Sequence, residues 1–139
     1  MTADWLVHFL SSVLSYFASR FVRCGQCAGA IPLNDVEGCI QRLDVQERLS
    51  AYGELTAIAS PPQVLIDLTA KTVRVRQQIE VLHQGVPVAR LSVEKVAMCR
   101  DGTLTSYASI DVDQIYVDEV RKQFCELHPY GGVCRSVWH

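Results

Sequence analysis

The hydrophobic period of this chain changes at Pro61-Pro62, and that change restricts the fold more than any other feature. Before the two prolines, apolar residues recur at three- and four-residue spacings, the repeat of helices buried by one face. From residue 63 to 112 they alternate, the repeat of strands. Gln84-Gly85 and Arg100-Asp101-Gly102 break the alternation, and an Asp-Gly pair is a strong hairpin signal. With 139 residues, 49% of them hydrophobic and 20% charged, the chain has material for one ordinary core. The expected fold is α+β, a single domain over 1–139. Helices occupy 4–62, and a three- to four-stranded antiparallel meander over 63–112 wraps on the first helix. A C-terminal helix covers 113–128, and a tail with Cys134 and Trp138 covers 129–139.

The first helix is expected over 4–22. His8, Ser11, Ser12, Ser15 and Ser19 fall in one sector, while Trp5, Leu6, Phe9, Leu10, Val13, Leu14, Phe17 and Phe21 cover most of the rest. So wide an apolar arc wants a sheet or a second copy against it, which makes Trp5, Phe9, Val13 and Phe17 candidate contact residues. Peripheral membrane contact through 4–22 is a weaker use, because the polar sector lacks the Lys and Arg that attract headgroups.

Asn34-Asp35-Val36-Glu37 has the form of a capping box for a helix over 35–43 that buries Val36, Cys39, Ile40 and Leu43. Asp44 begins another helix, with Leu49 and Tyr52 inward and Gly53 at its end. In the alternating half, Val73, Val75, Ile79 and Val81 share one face and Arg74, Arg76, Gln78 and Glu80 the other. Ala89, Leu91 and Val93, then Leu104, Ala108, Ile110 and Val112, continue the inward face. Asp113 is the expected cap of the last helix, whose buried face is Tyr116, Val117, Val120, Phe124 and Leu127.

The stretch EVLHQGVPVARLSVEKVAMCRDGTLTSYASIDV, residues 80–112, resembles the last hairpins of hot-dog thioesterase-like domains. It is similar also to the cone-shaped folds of the nuclear-transport-factor-2-like superfamily. The resemblance implies a curved sheet around a long apolar helix. It implies an enzyme or small-ligand carrier with a closed apolar pocket, its mouth lined by a polar group such as Asp67, His83 or Tyr107. No acid or asparagine matches the catalytic position of those enzymes, so the architecture is borrowed and the chemistry is not.

The N-terminus carries Asp4 where a secretory signal carries Lys or Arg, and no apolar run reaches the ~18 residues of a membrane-spanning helix. A complete cytoplasmic chain is therefore expected, and with it thiols or metal ligands in place of disulfides. Cys24-Gly-Gln-Cys27 sits in a glycine-containing turn, and Cys125-Glu-Leu-His128 repeats its spacing. Cys24, Cys27, Cys125 and His128 are thus a candidate set for one structural zinc, with Cys134 and Cys39 in reserve. A redox role for the first pair is disfavoured by its expected place after a helix C-terminus.

Thirteen basic and fifteen acidic residues give a net charge of −2, so bulk charge does not mark a nucleic-acid binder. Between Lys71 and Arg100, however, six basic residues face two acids. Lys71, Arg74, Arg76, Arg90 and Lys95 are the candidate nucleic-acid patch, with Tyr107 the one aromatic nearby. No phosphate loop, GxSxG or HExxH is present, and no catalytic residue is assigned.

The function expected is that of a small non-catalytic intracellular accessory protein, zinc-stabilised and self-associating. Its partners would be a second copy and a further protein, met through the apolar helix or a sheet edge. The alternatives are the hot-dog or cone-fold enzyme or carrier, and a zinc-stabilised nucleic-acid-binding regulator.

Overall fold

A computed structural model describes residues 3–18 and 20–134. Ser19 of the polar sector and Trp138 of the tail lie outside the described residues. In chain order the elements are α1 (Ala3–Ala18), β1 (Phe21–Gln26), α2 (Leu33–Gln41), α3 (Val45–Ser50), β2 (Leu55–Ala59), β3 (Gln63–Asp67), β4 (Thr72–His83), β5 (Val86–Arg100), β6 (Thr103–Ile115), α4 (Asp118–Leu127) and the 3₁₀ turn η1 (Gly132–Cys134). The fold is α+β, as the change of period requires.

The sheet is antiparallel and six-stranded, where three to four strands were expected. Its order is β1-β6-β5-β4-β2, with β3 also paired to β4. β4, β5 and β6 fall where the alternation places them. Both turns between them are two-residue loops with positive φ at each position: Gln84 at 51° with Gly85 at 80°, and Asp101 at 53° with Gly102 at 78°. That geometry matches the right-handed twist of the flanking strands. β4 is long enough to take two short partners along one edge, β3 at residues 72–76 and β2 at 79–83.

Two strands lie inside the half expected to be helical. The first helix stops at Ala18, and Phe21–Gln26 pairs with β6 instead of continuing the helix to residue 22. Phe21 therefore leaves the apolar face and stacks on Tyr107 with ring centroids 6.3 Å apart. β2 similarly takes residues that precede the prolines. At the other end β6 runs on to Ile115. Asp113 is thus a strand residue that accepts a short hydrogen bond from the Ser92 hydroxyl, and α4 starts at Asp118 without a side-chain cap. Asp44 does cap α3, accepting from the Glu47 N–H at 3.1 Å. α2 begins after Pro32 with no side-chain cap.

Register fixes which side chains share a face. Val73, Val75, Ile79 and Val81 of β4 lie in rows with Ala97, Lys95, Leu91 and Ala89 of β5, which continue to Ser106, Ala108, Val112 and Ile115 of β6. One part of this inner face shares a core with Leu6, Phe9, Leu10, Val13 and Phe17 of α1 and with Val120 and Phe124 of α4. The other part packs with Val36, Cys39 and Ile40 of α2, together with Cys27 and Ile31. Fully burying side chains of this size contributes about 1.5–3 kcal/mol each.

Three disulfides join these layers. Cys24–Cys39 ties β1 to α2, Cys27–Cys99 ties the loop after β1 to the end of β5, and Cys125–Cys134 ties α4 to η1. No helix among the described residues is long and apolar enough to cross a membrane.

Candidate interaction site

β3 is the place where the sequence puts apolar side chains and the fold leaves them uncovered. Ser60 sets its position. The Ser60 N–H donates to the Gln78 carbonyl at 2.8 Å, its hydroxyl oxygen accepts from the Gln78 N–H at 2.9 Å, and its carbonyl accepts from the Gln77 side-chain amide at 3.1 Å. Beyond this clamp Pro61-Pro62 cannot join the ladder, and the chain pairs again only from Gln63. Asp67 closes the far end by accepting from the Ala70 N–H at 2.9 Å. Every residue of β3 is exposed, with Val64, Leu65 and Ile66 each half open to solvent and Leu68 72% exposed. The reason is packing: the α2 cluster reaches Val73 and Val75 of β4 but includes no residue of β3.

The three strands that end the sheet are treated differently. On β1, the Arg23 carbonyl accepts from Arg42 at 3.5 Å, and Cys24 is bridged to α2. On β2, the Ala57 carbonyl accepts from the Gln46 amide of α3 at 2.9 Å. Among the described residues no side chain from another element bonds the backbone of β3. Within Gln63–Asp67 there is no Lys, no Pro and no bulge. An exposed apolar edge of this kind is a template for another strand.

Charge is arranged around the same strand. Gln63 and Leu65 lie opposite Arg76 and Arg74 of β4. Both guanidiniums share one carboxylate: Arg76 Nε donates to Glu94 Oε2 at 2.6 Å and Arg74 Nη1 to Glu94 Oε1 at 3.0 Å. The hydrogen bond from Arg76 holds the Glu94 carboxyl below the usual carboxylate range, against the opposing effect of partial burial. An open groove of about 830 Å³, lined by Ser60, Pro62, Gln63, Arg76, Glu94 and Asp111 among others, crosses β4, β5 and β6 at the Gln63 end of the strand.

The five cations of the expected nucleic-acid patch do not share one surface. Arg74, Arg76 and Arg90 lie on the outer face, whereas Lys95 stands on the inner face between Val75 and Ala108. Desolvation there lowers the Lys95 ammonium pKa, partly offset by Asp44. Lys71 occupies the turn before β4 with φ 54°.

The zinc expectation is corrected by the disulfides. Cys24, Cys27, Cys125 and the reserves Cys39 and Cys134 are all bridged, and the described residues include no free cysteine. A bridged sulfur has no thiolate to offer a metal. Cys24 and Cys27 take different partners, while Cys125 belongs to the other core. Among the described residues no group of three His, Cys, Asp or Glu side chains forms a metal cluster. His128 instead meets the Ser11 hydroxyl at 3.0 Å and stacks on Phe124. Ser11 lies inside α1, where the surrounding backbone N–H groups belong to the helix, so the pair acts as a tie between helices.

The helix residues proposed for partner contact lie inward: Phe9, Val13 and Phe17 are buried in the main core, and Trp5 is partly buried against His83 with ring centroids 5.2 Å apart. His83 also meets Glu54 at 3.0 Å, Asp67 ends β3, and Tyr107 stacks on Phe21 on the outer face. These three side chains do not line one mouth. Sequence reasoning missed β3 as a site because an apolar run of three reads as buried. The nearby Pro61-Pro62 and the absence of any charge within Val64-Leu65-Ile66 were the available signals.

The chain matches no protein-family model, no curated protein and no solved structure.

Proposed function

We propose that this chain is a non-catalytic, self-associating interaction protein that works by presenting the free edge of β3 to an extended strand of a further copy. The observation that carries this reading is the exposure of all five residues of β3, beside a backbone that, among the described residues, no side chain from another element bonds. On each of the other two terminal strands a side chain from a neighbouring helical segment bonds one backbone carbonyl. Main-chain hydrogen bonds would supply affinity there, and alternate side chains selectivity. The 1–139 chain acts as one unit in this reading, its curled sheet closing over α1 as the rigid support.

Three disulfides favour an oxidising compartment as the place of action, which replaces the cytoplasmic expectation drawn from the N-terminus. The nucleic-acid reading is not retained, because Arg74 and Arg76 are already engaged by Glu94 and Lys95 lies on the opposite face.

Light scattering at low micromolar concentration, combined with amide exchange over residues 63–67, tests the reading. The expected result is a mass above one chain and slowed exchange in β3, both lost in Leu65→Lys while circular dichroism is unchanged. A single-chain mass with fast exchange over 63–67 in the unmutated protein would overturn it.

A further inference from the structure

Resting on that reading, we infer that the strand received by the β3 edge is β3 of a second copy, paired antiparallel about a two-fold axis through Leu65. The segment Gln63-Val64-Leu65-Ile66-Asp67 runs polar, three apolar, polar in either direction. Antiparallel self-pairing centred on Leu65 sets Leu65 against Leu65, Val64 against Ile66, and Gln63 against Asp67 of the second copy. Apolar side chains then meet apolar ones on both faces of the joined sheet. A register moved by two residues would set Leu65 against Asp67 in one direction and against Gln63 in the other, an apolar side chain against a polar one on each side of the axis.

The charges around the strand are compatible with this register. Each copy has two guanidiniums, Arg74 and Arg76, gathered on one carboxylate, Glu94. Gln63 and Leu65 share their face with these arginines, and so does Asp67, two residues on from Leu65. In the proposed pairing Asp67 of one copy lies beside Gln63 of the other. It is one strand spacing, about 4.8 Å, beyond the residue that neighbours Arg76. Each copy thus brings the carboxylate that the other's arginine pair lacks. The contact is isologous, so two copies close it and leave neither β3 edge open.

Cysteine cross-linking of the full chain with its native disulfides tests the register. Residues directly opposite in an antiparallel pair have Cβ atoms about 4.5–5.5 Å apart, near the range a disulfide spans. Leu65→Cys should therefore form an inter-chain disulfide with itself. Gln63→Cys and Asp67→Cys should each fail alone and cross-link when mixed. As a second measurement without new thiols, Asp67→Asn should raise the dimer dissociation constant about three- to tenfold at low salt and much less at high salt. A dimer in which Leu65→Cys stays uncross-linked, Gln63→Cys bridges to itself, or Asp67→Asn has no salt-dependent effect overturns the register while leaving edge pairing intact. A single-chain mass for the unmutated protein overturns edge pairing itself.

Discussion

Ser11 Oγ and His128 Nε2 stand 3.0 Å apart, joining the middle of α1 to the C-terminal cap of α4 across 117 positions of sequence. A part-buried hydrogen bond of this kind contributes about 0.5–1.5 kcal/mol. Ser11→Ala and His128→Gln should each lower the thermal midpoint by a corresponding amount. The double variant should lose less than the sum of the two, because each single change already breaks the same bond.

The disulfides differ in the loops they close, 72 residues for Cys27–Cys99 and 9 for Cys125–Cys134. Loop-closure entropy makes the first worth about 4.5 kcal/mol and the second about 2.5 kcal/mol. In denaturant titrations, replacing Cys27 and Cys99 together by Ala should cost more than replacing Cys125 and Cys134. The intact mass should fall short of the fully reduced value by two hydrogens per bridge. A reductant should lower the midpoint where a chelator leaves it unchanged.

Glu94→Gln removes the carboxylate shared by Arg74 and Arg76. Both arginines are exposed and Glu94 is only partly buried, so the loss at neutral pH should stay within about 1 kcal/mol. The Glu94 carboxyl is held below its ordinary range in the folded state, so its contribution is complete above that range. It fades as pH falls through the lowered folded value. Urea midpoints of the two proteins should therefore differ at neutral pH and converge in acid.

Lys95 titrates with the opposite consequence. Desolvation lowers its folded-state pKa, so the charged form is penalised at neutral pH, and the penalty is relieved as pH rises through the lowered value. Stability should rise across the alkaline window below the ordinary lysine range. Lys95→Met should be more stable at neutral pH by on the order of 0.5 kcal/mol and should lack that rise.

Much of the architecture was legible because periodicity reports local burial directly. The limits of β4 and both two-residue turns follow from alternation and from the Gln-Gly and Asp-Gly pairs. β1 was hidden because Phe21 lies four residues after Phe17 and so continues the helical pattern. What makes it a strand is the distant pairing of Phe21 with Tyr107. The CxxC spacing was ambiguous for a related reason: sulfurs three positions apart suit one ion or two separate bridges. A register shift between Arg23 and Gly25 accompanies the divergence of Cys24 and Cys27 to separate partners. The candidate site was the least legible part. Val64-Leu65-Ile66 has the composition of a buried strand, and its exposure depends on where α2 ends its contact with the sheet, which no local pattern encodes.

The Cys27–Cys99 bridge has a consequence for survival among proteases. The exposed connection around Pro61-Pro62 and the turn before Lys71 both lie between its two cysteines. A cut at either place would divide the backbone and yet leave the fragments covalently joined, with β1, α2 and β5 still bound to one another. Nicking there would appear on a reducing gel and vanish on a non-reducing one.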